Sequence, residues 1–333
     1  MHMADALITP IVGGAMWATS TGVASYSVKK VQQDLDEKKI PLMGIMGAFV
    51  FAAQMINFTI PGTGSSGHIG GGILLAILLG PHAGFITMAS ILAIQALFFA
   101  DGGLLALGAN IFNLGFYTCY LAYPLIYKNI VKKEMTKTRI FVGSFLSAII
   151  GLQFGAFSVV LETLFSGKTE LPFNIFVLMM QPIHLAIGIV EGLLTAAVVT
   201  FVWNARPEIL QSSSVKISNG VSYKKVMVIL LCATVFIGGI LSWYASSNPD
   251  GLEWSIENVM GTPELETSGG IYDTLSNLQE KTAFLPDYSF KIDSEAKIES
   301  NSPINGGTSL SGIVGILLTL AFATSIGLIS YRY

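Results

Sequence analysis

Long apolar runs alternate with short basic clusters along this chain from end to end. The runs cover residues 5–28, 40–58, 69–100, 104–127, 138–165, 173–203, 226–244 and 310–331. A helix needs about 20 predominantly apolar residues to cross a bilayer, so most of these runs suit a single crossing. The third is too long for one, and Gly80-Pro81 interrupts it. Proline cannot continue the helical hydrogen-bond ladder, which predicts a short helix over 69–79 and a fuller one over 82–100. A span as short as the former needs a thinned or protein-buried surrounding. The pattern predicts an all-α, polytopic membrane protein with nine spans.

The basic residues orient those spans. Lys29, Lys30, Lys38 and Lys39 fill one connection; Lys128, Lys132, Lys133, Lys137 and Arg139 fill a second; Arg206, Lys216, Lys224 and Lys225 fill a third. With Arg332 these make 14 of the 18 lysines and arginines. Nine spans place all of them on one side, which the excess of positive charge marks as cytoplasmic. Eight spans would set the first cluster against the rest. The amino terminus is then outside the plasma membrane, the carboxyl terminus is cytoplasmic, and the 57–68 connection lies outside. So does the long connection 245–309, with 11 acidic residues against Lys281, Lys291 and Lys297, read as a small lobe or loop. The expected modules are a seven-span unit over 1–203, a cytoplasmic linker over 204–223, and a two-span hairpin over 224–333. The first lysine is Lys29, after the first apolar run, so the start does not read as a secretory leader and the amino terminus is expected to be unprocessed.

Composition agrees and removes other classes. Of 333 residues, 52% are hydrophobic and 12% charged, half of the roughly 25% usual in soluble chains. Mean hydropathy is +0.64, and 35 glycines suit close-packed membrane helices. Disorder, collagen, coiled coil and a disulfide scaffold are excluded. A net charge of −3 argues against a nucleic-acid partner. Cys119 and Cys232 lie inside apolar runs and suggest neither a redox pair nor a CxxC metal site.

Three motifs imitate other chemistries. Residues 62–67 match GxGxxG, but a membrane span precedes them and an apolar region follows, where a dinucleotide fold needs a strand and a later acidic residue. Gly167-Lys168-Thr169 resembles the end of a P-loop, yet Glu162 stands where its first glycine belongs. Any ATPase therefore belongs to other subunits. Ser65, Ser66 and His68, with His184, suggest an intramembrane serine hydrolase as a remote alternative; spacing alone supplies neither the base contact nor the oxyanion hole.

His2 carries the most specific chemistry. At position 2 of an unprocessed chain, the α-amine of Met1, the deprotonated amide nitrogen of His2 and its Nδ1 can close two fused chelate rings on one cation. Three nearly coplanar nitrogens favour Ni(II) or Cu(II), with Co(II) conceivable. His68, on the same outer face, is the candidate fourth nitrogen. The plainer alternative leaves His2 an exposed terminal residue and His68 a loop donor.

The segments Met1–Leu7, Asn57–His68 and Phe99–Asn110 closely resemble the CbiM/NikM family, substrate-specific components of energy-coupling-factor transporters for cobalt and nickel. The likeness covers about residues 1–204. It implies a square-planar site built from Met1, His2 and His68, no resident cofactor, and Ni(II) or Co(II) as cargo. It also implies a membrane coupling protein and two cytoplasmic ATPases as partners, and a link to cobalamin biosynthesis. Pro249–Glu253 and Phe284–Tyr288 look like the outer loop of the small two-span CbiN/NikN partner, here fused. The rival reading from another class is an ATP-independent channel or secondary carrier.

The remaining polar residues have assigned expectations. Asn57 and Asp101, at outer span ends, and Ser66 are expected to orient the His68 loop. His184 and Glu191, seven apart on one helix face, are expected to hydrogen-bond between helices, with an ion relay as the second role. His82, after the Pro81 break, reads as a structural histidine far from Met1.

Overall fold

A computed structural model describes residues 2–34, 37–168, 171–210, 221–262, 265, 267–291 and 306–332. Of the residues singled out above, Met1, Thr169, Lys216 and Lys297 lie outside the described residues. The order is α1 (Pro10–Asp34), α2 (Ile40–Gln54), a hairpin of β1 (Phe58–Thr59) and β2 (Ser66–Gly67), α3 (Gly72–Leu79) and α4 (Pro81–Phe99). One rod then joins α5 (Leu107–Ile111), a π-helical stretch (Phe112–Tyr127) and α6 (Lys128–Val131). It is followed by α7 (Lys137–Ser166), α8 (Phe173–Ala205), α9 (Tyr223–Gly239), α10 (Gly251–Met260), α11 (Ile271–Thr282) and α12 (Gly306–Arg332). Among the described helices, α4, α7, α8 and residues 306–331 are long and apolar enough to cross a membrane.

The break at Gly80-Pro81 is present: Gly80 has φ 91°, and Pro81 opens α4. Two ends depart from the apolar runs. The first helix starts at Pro10 rather than near Asp5. Proline suits a first turn, where its missing N–H is not needed. Residues 2–9 instead form a largely extended segment with one tight turn, Asp5–Leu7, and bury Met3, Leu7 and Ile8. The second helix ends at Gln54, and the chain enters the β-hairpin, pairing Phe58 with Gly67 and Thr59 with Ser66.

The hairpin module is not a separate body. Its α9 and α12 pack on α2 and on each other. At their crossing Gly312 meets the Gly238 backbone so closely that no β-carbon fits between them. Bulky apolar side chains such as Phe165, Leu178, Phe236 and Leu317 remain exposed, as suits helices whose outer solvent is lipid. Within the acidic connection, the lobe comprises α10, which packs on α8, and α11, which packs on α4.

Candidate metal-binding site

The amino-terminal segment is held by backbone hydrogen bonds that a helix would have used internally. The Met3 N–H donates to Asn110 Oδ1 at 2.8 Å, and Asn110 Nδ2 returns a bond to Met3 O at 3.2 Å. Gly103 N–H donates to the same carbonyl at 2.9 Å. Asp5 Oδ1 accepts from Ala106 N–H at 3.0 Å. Any β-carbon on Gly103 would overlap the Asp5 carboxylate, so glycine is required for this close approach. This brace sets the direction of His2.

The loop bearing His68 is braced from below. Gln54 Nε2 donates to Gly70 O at 2.8 Å, and Gln95 Nε2 holds Gln54 Oε1 at 3.0 Å. Glu191 accepts from Gly70 N–H at 2.6 Å and Gly71 N–H at 3.1 Å. Its alanine variant would strand two buried amides, at about 1–3 kcal/mol each. Glu191→Ala is therefore expected to lower thermal stability in a detergent melt and to weaken metal binding together, because the same loop carries His68.

These braces bring His2 and His68 face to face: their rings stack with centroids 5.0 Å apart and 17° between planes. The His2 side chain is only 6% exposed. His68 Nδ1 donates to Ile69 O at 3.0 Å, which leaves the lone pair on Nε2. Burial pushes His2 down to about 3 and His68 down to about 4. Both rings are then neutral at physiological pH, the form that binds a transition metal. Among the described residues no three His, Cys, Asp or Glu side chains cluster closely enough to hold a metal ion.

Asp101 faces His2 rather than the His68 loop it was expected to orient. Its Oδ1 lies 3.2 Å from His2 Nδ1, and its Oδ2 accepts from the Tyr288 hydroxyl. Ser66 supports its loop by reaching the fused lobe: its N–H donates to Pro249 O and its hydroxyl to Asn248 O, both at 2.8 Å. Asn57 helps through its carbonyl, which accepts from Ser246 N–H at 2.7 Å; its side-chain oxygen is buried with no partner among the described residues. Among the described residues His184 makes no helix-to-helix bond. Its Nδ1 pairs with Met180 O on its own helix at 2.8 Å, while Nε2 is buried with no hydrogen-bond partner among the described residues. Glu191 likewise binds loop amides instead of another helix. His82 is structural, with Nδ1 2.8 Å from the Tyr120 hydroxyl.

The imitating motifs resolve into plain roles. Gly62 and Gly64 take φ of 79° and 78° in the hairpin turn, and Gly167 ends α7. Ser65 and Ser66 hydroxyls donate to carbonyls, not to His68. Asn110, Gln54, Gln95 and Tyr288 were not assigned from sequence; the available signal was a polar side chain inside or beside an apolar run.

The lobe roofs the site. Tyr272 donates to Ile8 O at 2.9 Å, and Gln279 Nε2 to Ala96 O and Gly102 O at 2.9 and 2.8 Å. Between roof and floor lies a cavity of about 460 Å³ whose lining includes His2, Asp5, Asp101, Asp250, Glu253 and Asp287. Six waters at about 30 Å³ each would fill under half of it, so a hydrated divalent cation fits.

Residues 2–209 match the cobalt uptake substrate-specific transmembrane region, CbiM. The chain belongs to that family. Residues 224–332 match the PDGLE domain. A protein of Archaeoglobus fulgidus that carries the name fused nickel transport protein is 31% identical over 322 residues, 96% of each chain. A Haloquadratum walsbyi metal transport protein is 34% identical over 210 residues, 63% of this chain and 93% of that one. A crystal structure of a truncated transition metal transporter is 32% identical, with TM-score 0.54, covering 61% of this chain and 98% of the other. This CbiM-family chain is a multi-pass membrane component of metal transport with its PDGLE domain fused.

Proposed function

We propose that this chain captures Ni(II) or Co(II) outside the cell and passes it inward as the substrate-binding subunit of an ATP-driven energy-coupling-factor importer. The cation is held in a square plane by the Met1 amine, the amide nitrogen and Nδ1 of His2, and Nε2 of His68. The observation that supports this most is the stacking of His2 on His68, whose neutral rings come from segments far apart in sequence. Nitrogen donors in a plane suit Ni(II), and the acidic cavity above raises the local concentration of cations. The coupling protein and two ATPases supply the energy; this chain supplies recognition. The amino terminus lies outside and the seven-span and two-span modules cross as the charge pattern predicts.

Binding such a cation releases protons, so affinity rises with pH. The two imidazoles, already neutral above about pH 4, release none. The α-amine, with an ordinary pKa of about 7.7–8.0, releases one below that range, and the His2 amide releases another. Log affinity is therefore expected to climb with a slope of about two between pH 5 and 7, flattening toward one above pH 8. Isothermal titration with Ni(II) across that range measures the slope; a value near zero rules out the amine and amide as ligands. Competition between Ni(II) and Co(II) in the same cell ranks the two cargoes.

A further inference from the structure

Tyr288 stands in the second module, yet its hydroxyl donates to Asp101 Oδ2 in the first, and Asp101 Oδ1 lies 3.2 Å from His2 Nδ1. Three side chains from both modules thus form one line that ends on the nitrogen the chelate needs.

The backbone marks this line as specially built. Among the described residues only three non-glycine residues have positive φ: Ala100 at 56°, Asp287 at 48° and Tyr288 at 55°. The first immediately precedes Asp101; the other two end on the tyrosine itself. Side chains with a β-carbon are disfavoured in that region, and such residues persist where their surroundings over-determine them. Packing supplies the determination. The Tyr288 ring stacks on Phe99, with centroids 5.0 Å apart and 22° between planes, and meets Phe51 edge-on at 6.2 Å. The uncommon backbone is concentrated on the two sides of one hydrogen bond.

We infer that Tyr288 is a positioning residue that, through Asp101, draws His2 Nδ1 away from the cation and so promotes release. The inference rests on the chelate proposed above. A neutral imidazole carries one hydrogen: on Nδ1 it faces Asp101 and leaves no lone pair there for a metal. On metal binding Nδ1 gives that hydrogen to water while Nε2 takes one up, the exchange reversing on release. The other nitrogen, Nε2, points away from the backbone and cannot close a six-membered ring with the His2 amide. Asp101 and the cation therefore compete for one atom, and Tyr288 fixes the carboxylate where it competes well. Without the hydroxyl, Asp101 is free to turn toward the water-accessible cavity beside it. The second module thereby acts on the departure of the cation rather than on its ligation.

The test uses the purified full chain and Ni(II) alone. Stopped-flow mixing gives association and dissociation, titration gives affinity, and absorption reports the square-planar ion. Tyr288→Phe keeps the ring and its stacking and removes only the hydroxyl. It is expected to slow Ni(II) dissociation about five- to tenfold, the scale of one hydrogen bond to a charged group, with association and absorption unchanged. Phe284→Leu thins the lobe's packing on Phe98 and Phe99 without touching Asp101, and is expected to dissociate like the parent. Unchanged or faster dissociation in Tyr288→Phe overturns the inference. Equal slowing in Phe284→Leu also overturns it, because docking of the lobe as a whole would then be responsible. Failure of the chelate itself shows elsewhere, as a parent protein whose bound Ni(II) lacks the square-planar absorption.

Discussion

A chain extended by one residue ahead of Met1 is expected to lose Ni(II) affinity by at least about 100-fold. The extension turns the terminal amine into an amide, a far poorer donor, and moves the free amine out of ring-closing register with His2. If the roughly 10–16 kcal/mol of a four-ligand site is shared equally, one ligand accounts for about 3–4 kcal/mol, or two to three powers of ten. Acetylating the amine on the unextended chain should have the same effect without adding a residue. His2→Ala and His68→Ala are expected to reach a similar loss, while His82→Ala, whose ring is engaged with Tyr120, should bind like the parent. Isothermal titration of the extended and unextended proteins compares them directly, and equal affinities would sink the terminal chelate.

Deleting 224–333 is expected to abolish uptake while leaving Ni(II) affinity within about tenfold, or 1.4 kcal/mol, of the full chain. The lobe contains no histidine or cysteine, so it brings only oxygen donors, poorly matched to the proposed nitrogen chelate. A match over 93% of a shorter Haloquadratum relative shows that a chain near the size of the first module exists without this addition. The loss should fall on transport because the lobe ties together both loops of the site, through Ser66 on one side and Tyr288 with Gln279 on the other. The measurement is ATP-dependent uptake into proteoliposomes that also hold the proposed coupling protein and ATPases. Co-expressing 224–333 as a second chain should restore uptake, since α9 and α12 dock on α2 by packing rather than by the covalent link. Wild-type uptake by the truncated protein would refute the division of labour, and full-rate transport by the chain alone would favour a carrier.

Features governed by local rules were legible along the chain. Gly80-Pro81 broke a long apolar run because proline's effect does not depend on what packs nearby. Apolar runs became helices because a lipid-embedded backbone must satisfy its own hydrogen bonds. The chelate proposed for His2 likewise rests on its position, since fused rings depend on covalent distance alone. Partner choice was not legible in this way. Met3 is clamped by Asn110 from 107 positions away, Gly70 by Glu191 from 121, and Asp101 by Tyr288 from 187. Asp101 could be placed at the end of a span, but two histidines share that end, and only the folded chain chose His2. His184 and Glu191 lie on one helix face, as their spacing requires, yet one turned to its own helix and the other to a loop. The first residues also look apolar enough for a helix, but Asn110 and Gly103 pull them out into an extended strap. Periodicity records how each segment satisfies itself; which distant group completes a buried donor or acceptor is settled only when the segments close in space.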